Sequence, residues 1–162
     1  MARYTVKDRI ADAYVKLLKS GVSEASIIEI TDAAEVGRVS FYRNFTDTDD
    51  ILRYYIRRET DLWLSATEDN YITLTKVNLK PYIVFLLSHM YEYREIFDIL
   101  FQRGKESLIE EEFDYRFFIR LQDVRNPWRI VYEVGGVYKL FVYWAKNGYR
   151  ETPEEVADFI VT

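Results

Sequence analysis

The stretch that decides the reading is residues 26–45, SIIEITDAAEVGRVSFYRNF. Ser26 and Glu29 have the S-x-x-E spacing of a capping box, which opens a helix over Ile27, Ile30, Ala33 and Ala34. Glu35, Val36 and Gly37 then make a short turn, and residues 38–44 make a second helix. A helix that short is marginal in water, so Phe41 and Phe45 must lean on neighbouring elements. The second helix carries Arg38, Ser40, Tyr42 and Arg43. A bracing helix followed by a helix with such side chains suits a helix-turn-helix whose second helix enters the major groove. The arginines reach phosphate or guanine, Ser40 bonds either, and Tyr42 offers a hydroxyl to phosphate and a ring to a thymine methyl. Gly37 leaves the first amides of that helix open to a phosphate. An ordinary pair of packed helices with solvated arginines fits the spacing about as well.

Outward from this stretch the chain reads as all-α, with few Gly and Pro and almost no strict alternation. Residues 5–20 place Val6, Ile10, Ala13, Tyr14, Leu17 and Leu18 on one helical face, with Thr5 and Asp8 as a cap and Gly21 as a stop. Thr46 with Asp49 reads as the cap of a long helix through Ile51, Leu52, Tyr55, Ile56, Leu62, Trp63 and Ala66. Residues 67–78 are polar and mixed, and read as a boundary or loop. One helix is expected from Leu79 to the stop at Arg103-Gly104, and another over residues 105–123 with Glu110, Glu111 and Glu112 outward. Asn126-Pro127 caps a helix over residues 128–147 that is apolar nearly all round, and Thr152 to Glu155 cap a short last helix.

The totals bound the possibilities. The chain has 162 residues, 14 Tyr, 10 Phe, 3 Trp, no Cys and one His. Without thiols there are neither disulfides nor thiolate sites, which suits a reducing cytoplasm. A single His makes a transition-metal site improbable, and no cofactor motif is present. No apolar run is long enough for a membrane span. The net charge of -5 is unevenly spread: residues 1–58 hold 10 Lys/Arg against 9 Asp/Glu, and residues 59–162 hold 12 against 18. The acidity therefore sits in the later part, and the first part is free to approach phosphate. Nothing resembles a nucleophile elbow, a phosphate loop or a paired catalytic arrangement, so no enzyme is expected.

Residues 6–58 resemble the TetR family of bacterial transcriptional regulators. The resemblance rests on I-x-E-I-x-D-A-A-x-V-G-R-x-S-F-Y-R-x-F over residues 27–45, followed by D-x-D-D-I-L from Asp47 to Leu52. The ending YWAKNGYRETPEEVADFI, residues 143–160, also resembles the closing helices of that family. The resemblance implies a three-helix DNA-binding head, residues 1–47, and a helical ligand-binding and dimerisation domain, residues 48–162. It implies a homodimer through about residues 128–161, a small-molecule effector, and double-stranded DNA as partner. Ser26, Gly37, Arg38, Val39, Ser40, Tyr42 and Arg43 would then meet a pseudo-palindromic operator, with the protein acting as a repressor. The chain departs from the family at Glu35, where Gly is usual, at Gly37 and Val39, often Ser and Gly, and at Thr46 and Thr48, where Lys is frequent. Those departures define an alternative, an adaptor or coactivator that works through a protein partner with weak or no DNA binding.

In the second part, Trp63, Tyr82, Phe85, Phe97, Phe101, Phe117, Tyr138 and Phe141 are candidates to line an apolar pocket for a small apolar or aromatic ligand. At helical spacing the same set also reads as core. His89 reads as a surface or core residue rather than a switch, and the three consecutive glutamates as a solvated face.

Overall fold

The computed structural model describes residues 4–77, 79–120 and 127–161. Among these residues every regular element is an α-helix: α1 Val6–Lys19, α2 Ile27–Ala33, α3 Arg38–Asn44, α4 Thr48–Val77, α5 Leu79–Glu92, α6 Arg94–Gln102, α7 Ser107–Arg120, α8 Pro127–Lys146 and α9 Pro153–Val161. The caps explain where the first helices begin. Thr5 Oγ1 accepts the Asp8 amide at 3.2 Å while the Asp8 carboxylate accepts the Thr5 amide at 2.7 Å. Ser26 and Glu29 repeat this reciprocal pair at α2. Each satisfies amides that a helix start leaves without partners.

The first three helices close around Ile10, Ala11, Tyr14, Leu18, Ile30, Phe41 and Phe45, all buried. Phe41 is fully enclosed, which is how a helix as short as α3 is held. Val6 is exposed, outside the face the spacing gave it. α4 then runs from this cluster into the rest of the molecule, starting on Ile51, Leu52 and Ile56. Its cap is Asp47, whose side chain accepts the Asp50 amide at 2.7 Å. The Asp50 carboxylate bonds back to the Thr46 amide, so the expected Thr46–Asp49 box gives way to a neighbouring register. Asp49 instead pairs with Lys105.

Three other expectations are corrected. Residues 67–77 continue α4 rather than forming a loop. No Gly or Pro interrupts them, and extending an existing helix is far easier than nucleating one. The helix expected from Leu79 to Arg103 breaks at Tyr93, whose φ of -97° and ψ of 12° end the first segment. The turn lets Tyr93 donate to Glu59 on α4 at 3.2 Å and lets α6 bury Ile96, Phe97 and Leu100. Finally, Glu112 is buried, bonded to Arg57 at 3.0 Å and to Arg116 at 2.6 Å, while Glu111 holds Arg53. α7 is thus fastened to α4 by side chains the sequence reading turned outward. Paired in this way, a buried carboxylate avoids the large cost of an isolated charge.

α8 buries one side, Val137, Tyr138, Phe141, Trp144 and Ala145. α9 packs on α5, with Val156 and Ala157 inward and a Lys80–Asp158 ion pair across the contact. Leu62 and Ile160 are exposed in the single chain. No helix among the described residues is long and apolar enough to cross a membrane.

Candidate nucleic-acid interface

The turn between α2 and α3 sets the geometry. The Glu35 amide bonds the Asp32 carbonyl at 3.0 Å and the Val36 amide bonds the Thr31 carbonyl at 2.9 Å. This closure forces Glu35 into the left-handed region, at φ 52°. Glycine is the usual occupant of such a C-terminal position, and another L-residue bears about 1–2 kcal/mol of strain there. Arg9 offsets part of it. Its Nη2 donates to the Ala34 and Glu35 carbonyls at 2.7 and 2.9 Å and lies 3.6 Å from the Glu35 carboxylate. The acid at the turn is therefore held close to a cation from α1.

α3 presents one face inward and one outward. Phe41 and the cap residue Phe45 are buried, and Arg38, Val39, Tyr42 and Arg43 project to solvent. Val39 and Tyr42 are 63% and 66% exposed, unusually open for large apolar side chains in so small a helix. Ser40 is half-buried. The Arg38 and Arg43 side chains have no ion-pair, hydrogen-bond or ring partner among the described residues. Several other cations of the first four helices are engaged: Arg9 with Glu35, Lys19 with Glu95, Arg53 with Glu111, Arg57 with Glu112 and Arg58 with Asp8, Asp12 and Glu59. The helix thus offers two unspent guanidinium groups flanking a ring and a branched aliphatic group.

Gly37, the residue before α3, has no atom within 4 Å of where a Cβ would stand, and its φ is an ordinary -73°. Nothing within the chain demands glycine there, so the open space is available to a close-approaching group. Ser26 sits at the start of α2, but its hydroxyl already donates to Glu29 at 2.7 Å. The Ser26 amide and hydroxyl hold the Glu29 carboxyl below its ordinary pKa. A phosphate at Ser26 would compete with this cap.

Hydrogen bonds connect this unit to the later helices, beside the Lys19–Glu95 ion pair. Asp8 is buried, and besides capping α1 it accepts from Tyr54 at 2.8 Å and from Arg58 at 3.1 Å on α4. Burial opposes its ionisation, yet the bonds from Thr5, Tyr54 and Arg58 prevail and hold its pKa down to about 2. Arg103, just after α6, donates to the Val22 and Ser23 carbonyls in the loop before α2. These long-range hydrogen bonds carry no local sequence signal.

The candidate pocket residues divide into groups. Trp63 stacks on Phe85 at 4.6 Å and on His89 at 3.8 Å, between α4 and α5. Phe97 and Phe101 both contact Phe141, and Phe113 contacts Tyr138, nearer α8. Phe97, Tyr138 and Phe141 are core. Tyr82 is half-buried on α5, and the side chain of Phe117 lies outside the described residues. The sequence reading set His89 aside. Burial pushes its pKa down to about 4, leaving a neutral ring, and its Nδ1 is enclosed without a hydrogen-bond partner among the described residues.

A three-helix unit with a braced, outward-facing α3, followed by further packed helices, makes an all-α fold. The chain is similar in fold to the fatty acid degradation regulator FadR from Bacillus halodurans, with a TM-score of 0.59 over 99% of this chain and 94% of that one, at 11% identity. No protein-family model matches the sequence, and no curated protein matches it.

Proposed function

We propose that this chain is a dimeric, ligand-responsive transcriptional regulator of repressor type. Residues 1–47 form its DNA-binding head and residues 48–162 its ligand-binding and dimerisation part. The observation that carries the reading is the outward face of α3, where Arg38 and Arg43 are left unpaired beside exposed Val39 and Tyr42. Such a face suits base edges and phosphates and has no evident role within the chain. The fold likeness to a regulator adds support. Arg38 and Arg43 would take guanine or phosphate, Val39 and Tyr42 thymine methyls, and Ser40 and the open backbone at Gly37 a strand of the duplex.

The homodimer is supported by α8 and α9. Opposite its buried side, α8 exposes Trp128, Tyr132, Gly135, Gly136 and Tyr143, with Tyr132 81% exposed, and α9 adds Phe159 at 78%. The Cβ positions of both glycines face open space among the described residues, whose packing does not explain them. Each weakens a helix by about 1 kcal/mol relative to Ala, and close approach of a second α8 compensates. The Trp63–Phe85–His89 stack supports an apolar or aromatic effector held between α4 and α5. α4 also carries the Arg58 link to α1, so a shift there would reach the head.

A second reading has its own observation. Glu29 and Asp32 on α2 and Glu35 at the turn are exposed beside α3, a charge that suits a protein partner better than a phosphate strand. Selection of bound sequences from random duplex DNA separates the two. A pseudo-palindromic consensus, lost in Tyr42→Ala and Arg43→Ala with their urea midpoints unchanged, is the expected result. Absence of any enriched duplex would overturn the regulator reading in favour of the adaptor.

A further inference from the structure

A duplex seated on α3 passes a phosphate strand beside each end of that helix. At the far end, where α3 gives way to α4, the connecting stretch Thr46 to Asp50 has no Lys or Arg and three aspartates. The aspartates are occupied: Asp47 accepts the Asp50 amide, Asp50 accepts the Thr46 amide, and Asp49 pairs with Lys105. A cation reaches this end of α3 from α1. Lys7, in the first turn of α1, holds its Nζ 5.1 Å from the centre of the Phe45 ring and 4.5 Å from that of Tyr54. Phe45 is the cap residue of α3 and directly precedes Thr46.

The Lys7 ammonium has no carboxylate partner among the described residues. Its neighbour Asp8 is committed to Thr5, Tyr54 and Arg58, and Asp12 to Tyr4 and Arg58. Ring faces attract a cation and use none of its N–H groups. The side chain is thus positioned at the junction with its donors unspent. We infer that Lys7 supplies a phosphate contact at the α3–α4 end of the duplex. The contact is independent of base sequence, and it rests on the DNA-binding reading given above.

The test is the salt dependence of binding by the full chain to its selected duplex, for wild type, Lys7→Gln and Lys7→Arg. Each phosphate neutralised contributes about 0.9 to the slope of log affinity against log salt. A dimer on two half-sites should lose about 2 from the slope in Lys7→Gln, with equal weakening on all sequences, and keep it in Lys7→Arg. An unchanged slope in Lys7→Gln overturns the inference while leaving the regulator reading intact. Weaker binding at unchanged slope, with a lowered urea midpoint, also overturns it, because Lys7 would then only pack. A wild type that binds no duplex removes the regulator reading and this inference together.

Discussion

Asp8→Asn tests the link between the head and α4. The carboxylate serves three partners at once: the Thr5 cap, the Tyr54 hydroxyl and the Arg58 guanidinium. Two routes give the magnitude. Putting an NH2 group where a carboxylate oxygen accepts the Thr5 amide breaks the reciprocal half of the capping box, at a cost of about 1 kcal/mol, and weakening one charge-assisted bond adds about 1 kcal/mol more, since Arg58 keeps Asp12 and Glu59. Independently, the pKa falls from 3.8 in the unfolded chain to about 2 in the fold, which corresponds to about 2 kcal/mol in favour of the folded state at neutral pH. The sign follows from the direction. A depressed carboxylate pKa gives stability that is complete above pH about 4 and lost as pH falls toward 2. Asp8→Asn should therefore cost about 2 kcal/mol at pH 6 and about 1 kcal/mol at pH 3, read from urea unfolding.

His89 supplies an internal control in a different window. Its pKa is held down to about 4 from 6.5 by burial, so the unfolded chain takes up a proton first. Stability falls between pH about 6.5 and 4, by up to about 3 kcal/mol, equally in wild type and Asp8→Asn. A cost for Asp8→Asn that is below about 0.5 kcal/mol at pH 6, or that does not shrink on acidification, would refute the assignment of Asp8 as the ionised centre of this link.

Two further perturbations follow from the geometry. Glu35→Gly relieves a left-handed backbone at φ 52°. After the added flexibility of the unfolded chain it should raise stability by about 0.5 kcal/mol. It also removes a carboxylate beside α3, so duplex binding should tighten by about threefold, measured by titration at fixed salt. Tyr132→Glu or Phe159→Glu places a charge on the exposed apolar surface of α8 and α9. Sedimentation should show a monomer at micromolar concentration with helix content kept, and a dimer that persists in both variants would remove that surface from the interface.

The helix starts were readable because a cap is local. Thr5 with Asp8 and Ser26 with Glu29 lie three residues apart, and the first turn brings those partners together whatever the rest of the chain does. Arg38, Tyr42 and Arg43 were readable as outward for a similar reason, since helical periodicity around Phe41 and Phe45 leaves them on the other side, whereas Ser40 is half-buried. The left-handed turn at Glu35 has no such local signal, because a glutamate does not favour a positive φ.

What tertiary structure alone decided lies in contacts between residues far apart in the chain. The sequence could not show that Glu112 turns inward to Arg57 and Arg116, that His89 lies flat against Trp63, or that Arg103 reaches back to Val22. Nor could it show that residues 67–77 extend α4, because a polar stretch without a stop signal is compatible with either helix or loop. Charge and ring type say that such side chains need partners, but partner choice depends on which helices pack together. Local hydrogen bonding fixed the ends of the early helices and the outward face of α3. Burial and long-range pairing determined which charges were spent within the fold and which, like Arg38, Arg43 and Lys7, were left to face something else.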